Sequence, residues 1–132
     1  QYIIMCAPTN SQYAALAALK GGFEDGFAEI KAMVDEYDMR RRFLVKRLNE
    51  MGLTCFEPKG AFYVFPCVKS TGMDGEGFAN TLLKESKVAV VPGDAFGESG
   101  KDFVRISYAY SLSSLKKAMD KIEEFVAKHK KN

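Results

Sequence analysis

The sequence contains no tryptophan, one histidine, four prolines and three cysteines. Each scarcity closes off a kind of chemistry. The single His129 cannot complete a Ser/His/Asp or Cys/His arrangement, so triad-type hydrolysis is not expected. Cys6, Cys55 and Cys67 are odd in number, far apart and without a C-x-x-C pair; neither a disulfide framework nor a metal site is expected from them. Read singly, each is a small apolar residue suited to a core, in a reducing, cytoplasmic setting. Charge of one sign is lacking too. Nineteen basic residues face 17 acidic ones, a formal net charge of +2, which provides no field to hold nucleic acid or an anionic membrane surface. No G-x-G-x-x-G follows a strand pattern, and no phosphate loop exists. The apolar start, Gln1 to Ala7, has no basic lead and is far too short to span a bilayer, so nothing reads as targeting or transmembrane. The chain opens without Met inside that run, as though cut from something longer.

What is present is ordinary globular material: 47% hydrophobic and 27% charged residues, enough for one core and one domain over 1–132. Residues 1–50 are expected to be helical, and 53–132 to form a sheet with covering helices. Thr9-x-x-Gln12 after Pro8 has the form of a capping box, and an Ala-rich helix from Gln12 to Lys20 should end at Gly21-Gly22. A second helix is predicted from Glu24 to Met51, with Phe27, Ile30, Val34, Tyr37, Leu44, Leu48 and Met51 as its stripe, stopped by Gly52. Arg41 fills a slot where an apolar residue is due; with Glu36 and Asp38 nearby, Arg40, Arg41 and Arg42 read as a solvated face.

Strands are predicted at Leu53–Phe56, Ala61–Val68, Val88–Val91 (buried) and Asp102–Tyr110, from their aromatic and β-branched content. Asp74 should cap a short helix to Ser86, and Ser111 a last one with the stripe Leu112, Leu115, Met119, Ile122, Phe125 and Val126. Its basic end, Lys128, Lys130 and Lys131, suits the helix dipole. Packing these elements economically gives an α/β (α+β) sandwich: a small, open, mostly antiparallel sheet covered by helices. Strand order is not legible.

Three features are candidates for function. Arg105 shares a strand face with Phe103, Ser107 and Ala109, while Val104, Ile106 and Tyr108 take the other. Facing a cleft, its planar fork would suit a carboxylate or phosphate; otherwise it is a surface or edge-strand arginine. Phe62, Tyr63 and Phe65 resemble an RNA-stacking strand, but the signature fails at Ala61, Phe62 and Pro66, and they read as core or cleft wall. Pro92-Gly93-Asp94-Ala95-Phe96-Gly97 is a sharp strand exit that either floors a pocket or connects two strands.

Taken together, Ala7-Pro8-Thr9-x-x-Gln12-Tyr13-Ala14-Ala15, Pro58-x-Gly60-Ala61-Phe62-Tyr63, Val88-Ala89-Val90-Val91-Pro92-Gly93-x-x-Phe96-Gly97 and Val104-Arg105-Ile106-Ser107-Tyr108-Ala109 resemble fold-type I aminotransferases of the aspartate aminotransferase class. The resemblance covers essentially the whole chain and matches about the last third of such an enzyme. It implies that Arg105 grips the α-carboxylate of the substrate, and that Phe96 and Gly97 belong to a loop that moves as the substrate site closes. Thr9-Asn10-Ser11 match a segment near a dimer interface, with no definite contact assigned. Pyridoxal phosphate, amino acid and 2-oxo acid substrates and a homodimer are implied for the parent enzyme. The one Ser-Lys pair, Ser86-Lys87, lacks the family's following motif and runs into a strand, so Lys87 is rejected as the cofactor lysine. The pyridine-binding aspartate is missing as well. The chain alone is expected to bind no cofactor covalently and to catalyse nothing; the alternative is a stand-alone, non-catalytic ligand-binding or regulatory module.

Overall fold

A computed structural model describes residues 5–130. The apolar start at 1–4 and Lys131 of the basic end lie outside the described residues. The chain divides into two compact units, Gln1–Glu36 and Tyr37–Asn132.

The first unit holds α1 (Thr9–Asp25) and the opening turns of α2 (Ala28–Glu50). Two expectations fail here. Thr9 does not cap: Pro8 occupies the cap position, and the Gln12 side-chain amide donates instead to the Ala7 carbonyl at 2.8 Å. Nor do Gly21 and Gly22 end α1, which continues to Asp25. A helix interior tolerates glycine at about 0.5–1 kcal/mol, whereas termination needs a left-handed residue, and Gly26 supplies it at φ 69° with its N–H bonded to the Gly22 carbonyl. Gly22 has another task. The Phe27 ring lies against it where a Cβ would stand, so the bend between the helices closes on a missing side chain. Cys6, expected in a core, is exposed.

The second unit contains the sheet. From Tyr37 onward α2 follows its predicted stripe, burying Leu44 and Leu48, whereas Ile30 and Val34 nearer its start are exposed. Gly52, at φ 90°, turns the chain out of the helix. The strands are β1 (Tyr63–Val64), β2 (Val91–Pro92) and β3 (Val104–Ser107), with α3 (Gly75–Ser86) between β1 and β2 and α4 (Leu112–His129) last. Among the described residues they form an antiparallel three-stranded sheet in the order β1-β3-β2. Both caps behave as expected: Asp74 accepts from the Gly77 N–H at 2.9 Å and Ser111 from the Ser114 N–H at 3.2 Å.

Predicted strands are longer than the observed ones, for identifiable reasons. Leu53–Phe56 joins no ladder. The Asn49 side chain takes the role of a partner strand, accepting from the Cys55 N–H at 3.0 Å and donating to the Cys55 carbonyl at 2.7 Å. The Ala61–Val68 run pairs regularly at Tyr63 and Val64 alone, because Ala61 is left-handed at φ 56°, Pro66 has no N–H, and the Cys67 N–H is diverted to the Thr54 carbonyl. The Val88–Val91 segment is not buried. It is an edge, with Val88 and Val90 half-buried and Ala89 and Val91 exposed.

Val64, Val104, Ile106 and Tyr108 point into a core built with Leu44 and Leu48 of α2, Phe78 and Leu82 of α3, and Met119, Ile122 and Phe125 of α4. Phe78 meets Phe125 edge to face at 5.2 Å between centroids. Arg41, in the apolar slot of α2, is held by Asp38 and Glu57, the second of which lies beyond the reach of local sequence reasoning. Hydrogen bonds from Arg41, seconded by Arg42 and Lys59 respectively, hold the Asp38 and Glu57 carboxyls below their ordinary values of 3.8 and 4.5.

These carboxyls bind protons less readily folded than unfolded, so their contribution is present at neutral pH and lost as pH falls from about 5 to about 2. Arg41→Met should therefore flatten the acid-side decline of the unfolding midpoint, measured by denaturant titration across that range. Asp74→Ala should cost about 1 kcal/mol in the same denaturant titration at neutral pH.

Candidate functional site

The site is built by the pleat of β3. Val104 and Ile106 face the core, so Phe103, Arg105 and Ser107 stand on the opposite face. Register then decides their neighbours. Tyr63 pairs with Ser107, and the same alignment carried on to the Cys67–Phe103 bridge sets Phe65 across from Arg105. Val91 of β2 lies on the other side of Arg105.

The chain between β2 and β3 supplies the remaining wall. It folds back tightly, with the Gly93 N–H bonded to the Phe103 carbonyl and the Phe103 N–H to the Gly100 carbonyl, each at 2.9 Å. Gly93 and Gly100 approach each other's backbone with no room for a Cβ. Gly97, at φ 126° and ψ 155°, holds a conformation that side chains strongly disfavour. That turn delivers Phe96 to the sheet face.

Arg105 is the centre of the result. Its guanidinium carbon lies 4.3 Å from the Tyr63 ring centroid and 4.4 Å from that of Phe96. Phe65 supports the arrangement, stacked on Phe103 at 5.4 Å and edge-on to Phe96 at 6.2 Å. Among the described residues no carboxylate pairs with Arg105, and its Nε is buried without an acceptor. The arginine also lines a cleft of about 430 Å³ together with Tyr63, Val91, Ser107, Tyr110 and the α4 residues Ser114 and Ala118. A half-buried cation with aromatic faces and no protein counter-ion is equipped to take an anion from outside.

Arg105 and Phe96, singled out separately in the sequence, are thus brought together, with Gly97 in the turn beside them. Tyr63 is the contributor that sequence reasoning placed only as core or cleft wall. Its signal was available: in Tyr63-Val64-Phe65 the middle residue is the apolar β-branched one, which assigns both rings to the face away from the core. Lys87 sits elsewhere. It caps α3 in a left-handed conformation at the surface, its ammonium donating to the Lys84 carbonyl at 3.0 Å. Among the described residues no cluster of His, Cys, Asp or Glu is placed to hold a metal ion, and no helix is long and apolar enough to cross a membrane.

The result is a small α/β domain: a helix-covered antiparallel sheet with Arg105, which has no carboxylate partner among the described residues, on its open face. Comparisons with known proteins identify the family. The family model for aminotransferase class I and II matches residues 2–122. The aspartate aminotransferase of Pyrococcus abyssi (strain GE5 / Orsay) is 47% identical over 129 residues, 98% of this chain and 33% of that protein. The aromatic-amino-acid aminotransferase 2 of Thermococcus litoralis is 48% identical over 130 residues, again 98% of this chain and 33% of that protein. Among solved structures, the aromatic aminotransferase from Pyrococcus horikoshii OT3 superposes with a TM-score of 0.83 at 48% identity, covering 89% of this chain and 31% of that one. The chain belongs to the class I and II aminotransferase family. It spans about a third of the length of the curated relatives it matches.

Because Arg105 gives up no ion pair or side-chain hydrogen bond among the described residues, Arg105→Met should change the unfolding free energy by less than about 1 kcal/mol, as read from denaturant midpoints. The thiols give a second check on the packing. Burial raises the Cys55 thiol above its ordinary value, so Cys55 should be alkylated by iodoacetamide last and exposed Cys6 first, as followed by mass spectrometry of the native chain.

Proposed function

We propose that this chain is the carboxy-terminal, substrate-clamping part of a pyridoxal-phosphate-dependent aminotransferase that moves an amino group reversibly from an α-amino acid to a 2-oxo acid. One observation carries the reading: Arg105, uncompensated and ring-flanked, stands at the position where the family resemblance calls for a carboxylate-gripping arginine. Each charge-assisted bond to a carboxylate contributes about 1.5–3 kcal/mol, and a bidentate grip fixes the plane of the bound group as well. Orientation of this kind is a large part of catalysis, since it converts a free encounter into one between aligned groups.

The described residues do not fit the cofactor. No lysine or aspartate lines the cleft beside Arg105, and Lys87 is a surface helix cap. The cofactor lysine, the pyridine-nitrogen partner and the phosphate site therefore belong to the portion of the parent outside this chain, and the chain alone should not transaminate. In this reading Phe96 and Gly97 travel with the small domain as the substrate site closes. We further propose a homodimeric, cytoplasmic parent, consistent with three unpaired cysteines.

The test is to add pyridoxal phosphate to this polypeptide and, in parallel, to one extended upstream through the full reading frame, following cofactor absorbance and amino transfer. The expected result is colour and activity in the extended protein and neither in the shorter one. Silence in both would point to a non-catalytic ligand-binding module. In the extended protein Arg105→Lys should lower kcat/KM by at least about tenfold, since an ammonium cannot reproduce the two-pronged contact; a change within a few-fold would remove Arg105 from its assigned role.

A further inference from the structure

The environment of Arg105 restricts how it can be used. We propose that Tyr63 and Phe96 are positioning residues that clamp the guanidinium between two rings and so restrict it to end-on, in-plane recognition of a carboxylate. The proposal rests on the reading of Arg105 given above and goes beyond it in assigning how the fork is aimed.

An arginine on a strand carries several rotatable bonds, and holding a long side chain in one rotamer costs free energy that a ligand would otherwise have to supply on binding. Here the cost is met within the fold. Ring centroids at 4.3 and 4.4 Å from the guanidinium carbon place both aromatic residues within cation–π range of the same group. The two rings come from independent elements. Tyr63 is fixed by the β1–β3 register, while Phe96 is carried by the glycine-built turn and braced edge-on by Phe65.

The buried Nε adds a second restriction. A guanidinium can present either its Nε side or its two terminal nitrogens to a carboxylate, and here the Nε side is closed without being satisfied. The terminal Nη pair is left as the working edge. A planar carboxylate meeting that edge makes two parallel bonds in the plane of the fork. By holding that donor-only edge forward the rings favour a carboxylate, with two acceptor oxygens, over a carboxamide, whose NH2 would face an Nη donor. Phe96 is 53% exposed, so its ring closes the clamp from the solvent side.

The experiment uses the full-length, cofactor-loaded protein. Steady-state kcat and KM are measured for the α-amino acid it turns over best and for the corresponding α-carboxamide, in Tyr63→Leu, Phe96→Leu, Tyr63→Phe, Phe96→Tyr and Arg105→Lys. The acid-to-amide preference in kcat/KM reports the carboxylate grip and is insensitive to general loss of active protein. We expect each leucine variant to reduce that preference about tenfold, chiefly through KM for the acid, while the ring-conserving variants stay within about twofold of the parent. Collapse of the preference in Arg105→Lys with both leucine variants unchanged would overturn the clamp and leave the carboxylate reading standing. An unchanged preference in Arg105→Lys would overturn both. Should Tyr63→Leu fail to fold, Phe96→Leu carries the test, because that ring is largely in solvent and leaves the core intact.

Discussion

A β-strand has two faces, and β3 gives one of them wholly to the core. Val104, Ile106 and Tyr108 are buried against the helices, and this single commitment dictates where the intervening residues must stand. Arg105 is on the open face because its neighbours are not. Shifting the strand by one residue would bury a guanidinium and expose two β-branched side chains, so the hydrophobic free energy of the core is also what holds the arginine in position. The central place of β3 between β1 and β2 then fixes the distance from Arg105 to the aromatic residues of one neighbour and to the glycine turn leaving the other.

Much of this was legible in the sequence because it depends on alternation and on local chemistry. The two faces of β3, the Asp74 and Ser111 caps and the α4 stripe follow from short-range patterns. What escaped depended on partners far away in the chain. Leu53–Phe56 has strand-like composition, but the amide of Asn49 satisfies its backbone, and no composition rule anticipates a side chain standing in for a strand. The Gly21-Gly22 pair reads as a stop, yet the Phe27 ring needs that empty space. Arg41 reads as a solvated charge until Glu57 is brought to it by the chain that follows α2.

The site was visible in pieces and assembled by the fold. Arg105, Phe96 and Gly97 were each conspicuous, for charge in a strand, for an aromatic beside glycines, and for a turn. Local alternation puts Tyr63 on the face away from the core but does not bring it to Arg105, which depends on register with a strand more than forty residues away; the pairing of Tyr63 with Ser107 supplies it. Membership of the class I and II aminotransferase family is what the proposed reading of this cluster as a substrate grip builds on, and the chain spans about a third of the length of the relatives it matches. In the proposed reading, substrate recognition and cofactor chemistry are divided along the parent polypeptide, with this chain contributing the charged contact.

The central claim, that Arg105 receives a substrate carboxylate, is tested most directly by a crystal structure of the whole cofactor-loaded protein with a bound amino acid substrate analogue. The account predicts both carboxylate oxygens within about 2.7–2.9 Å of the two terminal nitrogens of Arg105, with the guanidinium still between Tyr63 and Phe96. A carboxylate held by other residues, with Arg105 turned to solvent or paired to an acidic side chain, would contradict it.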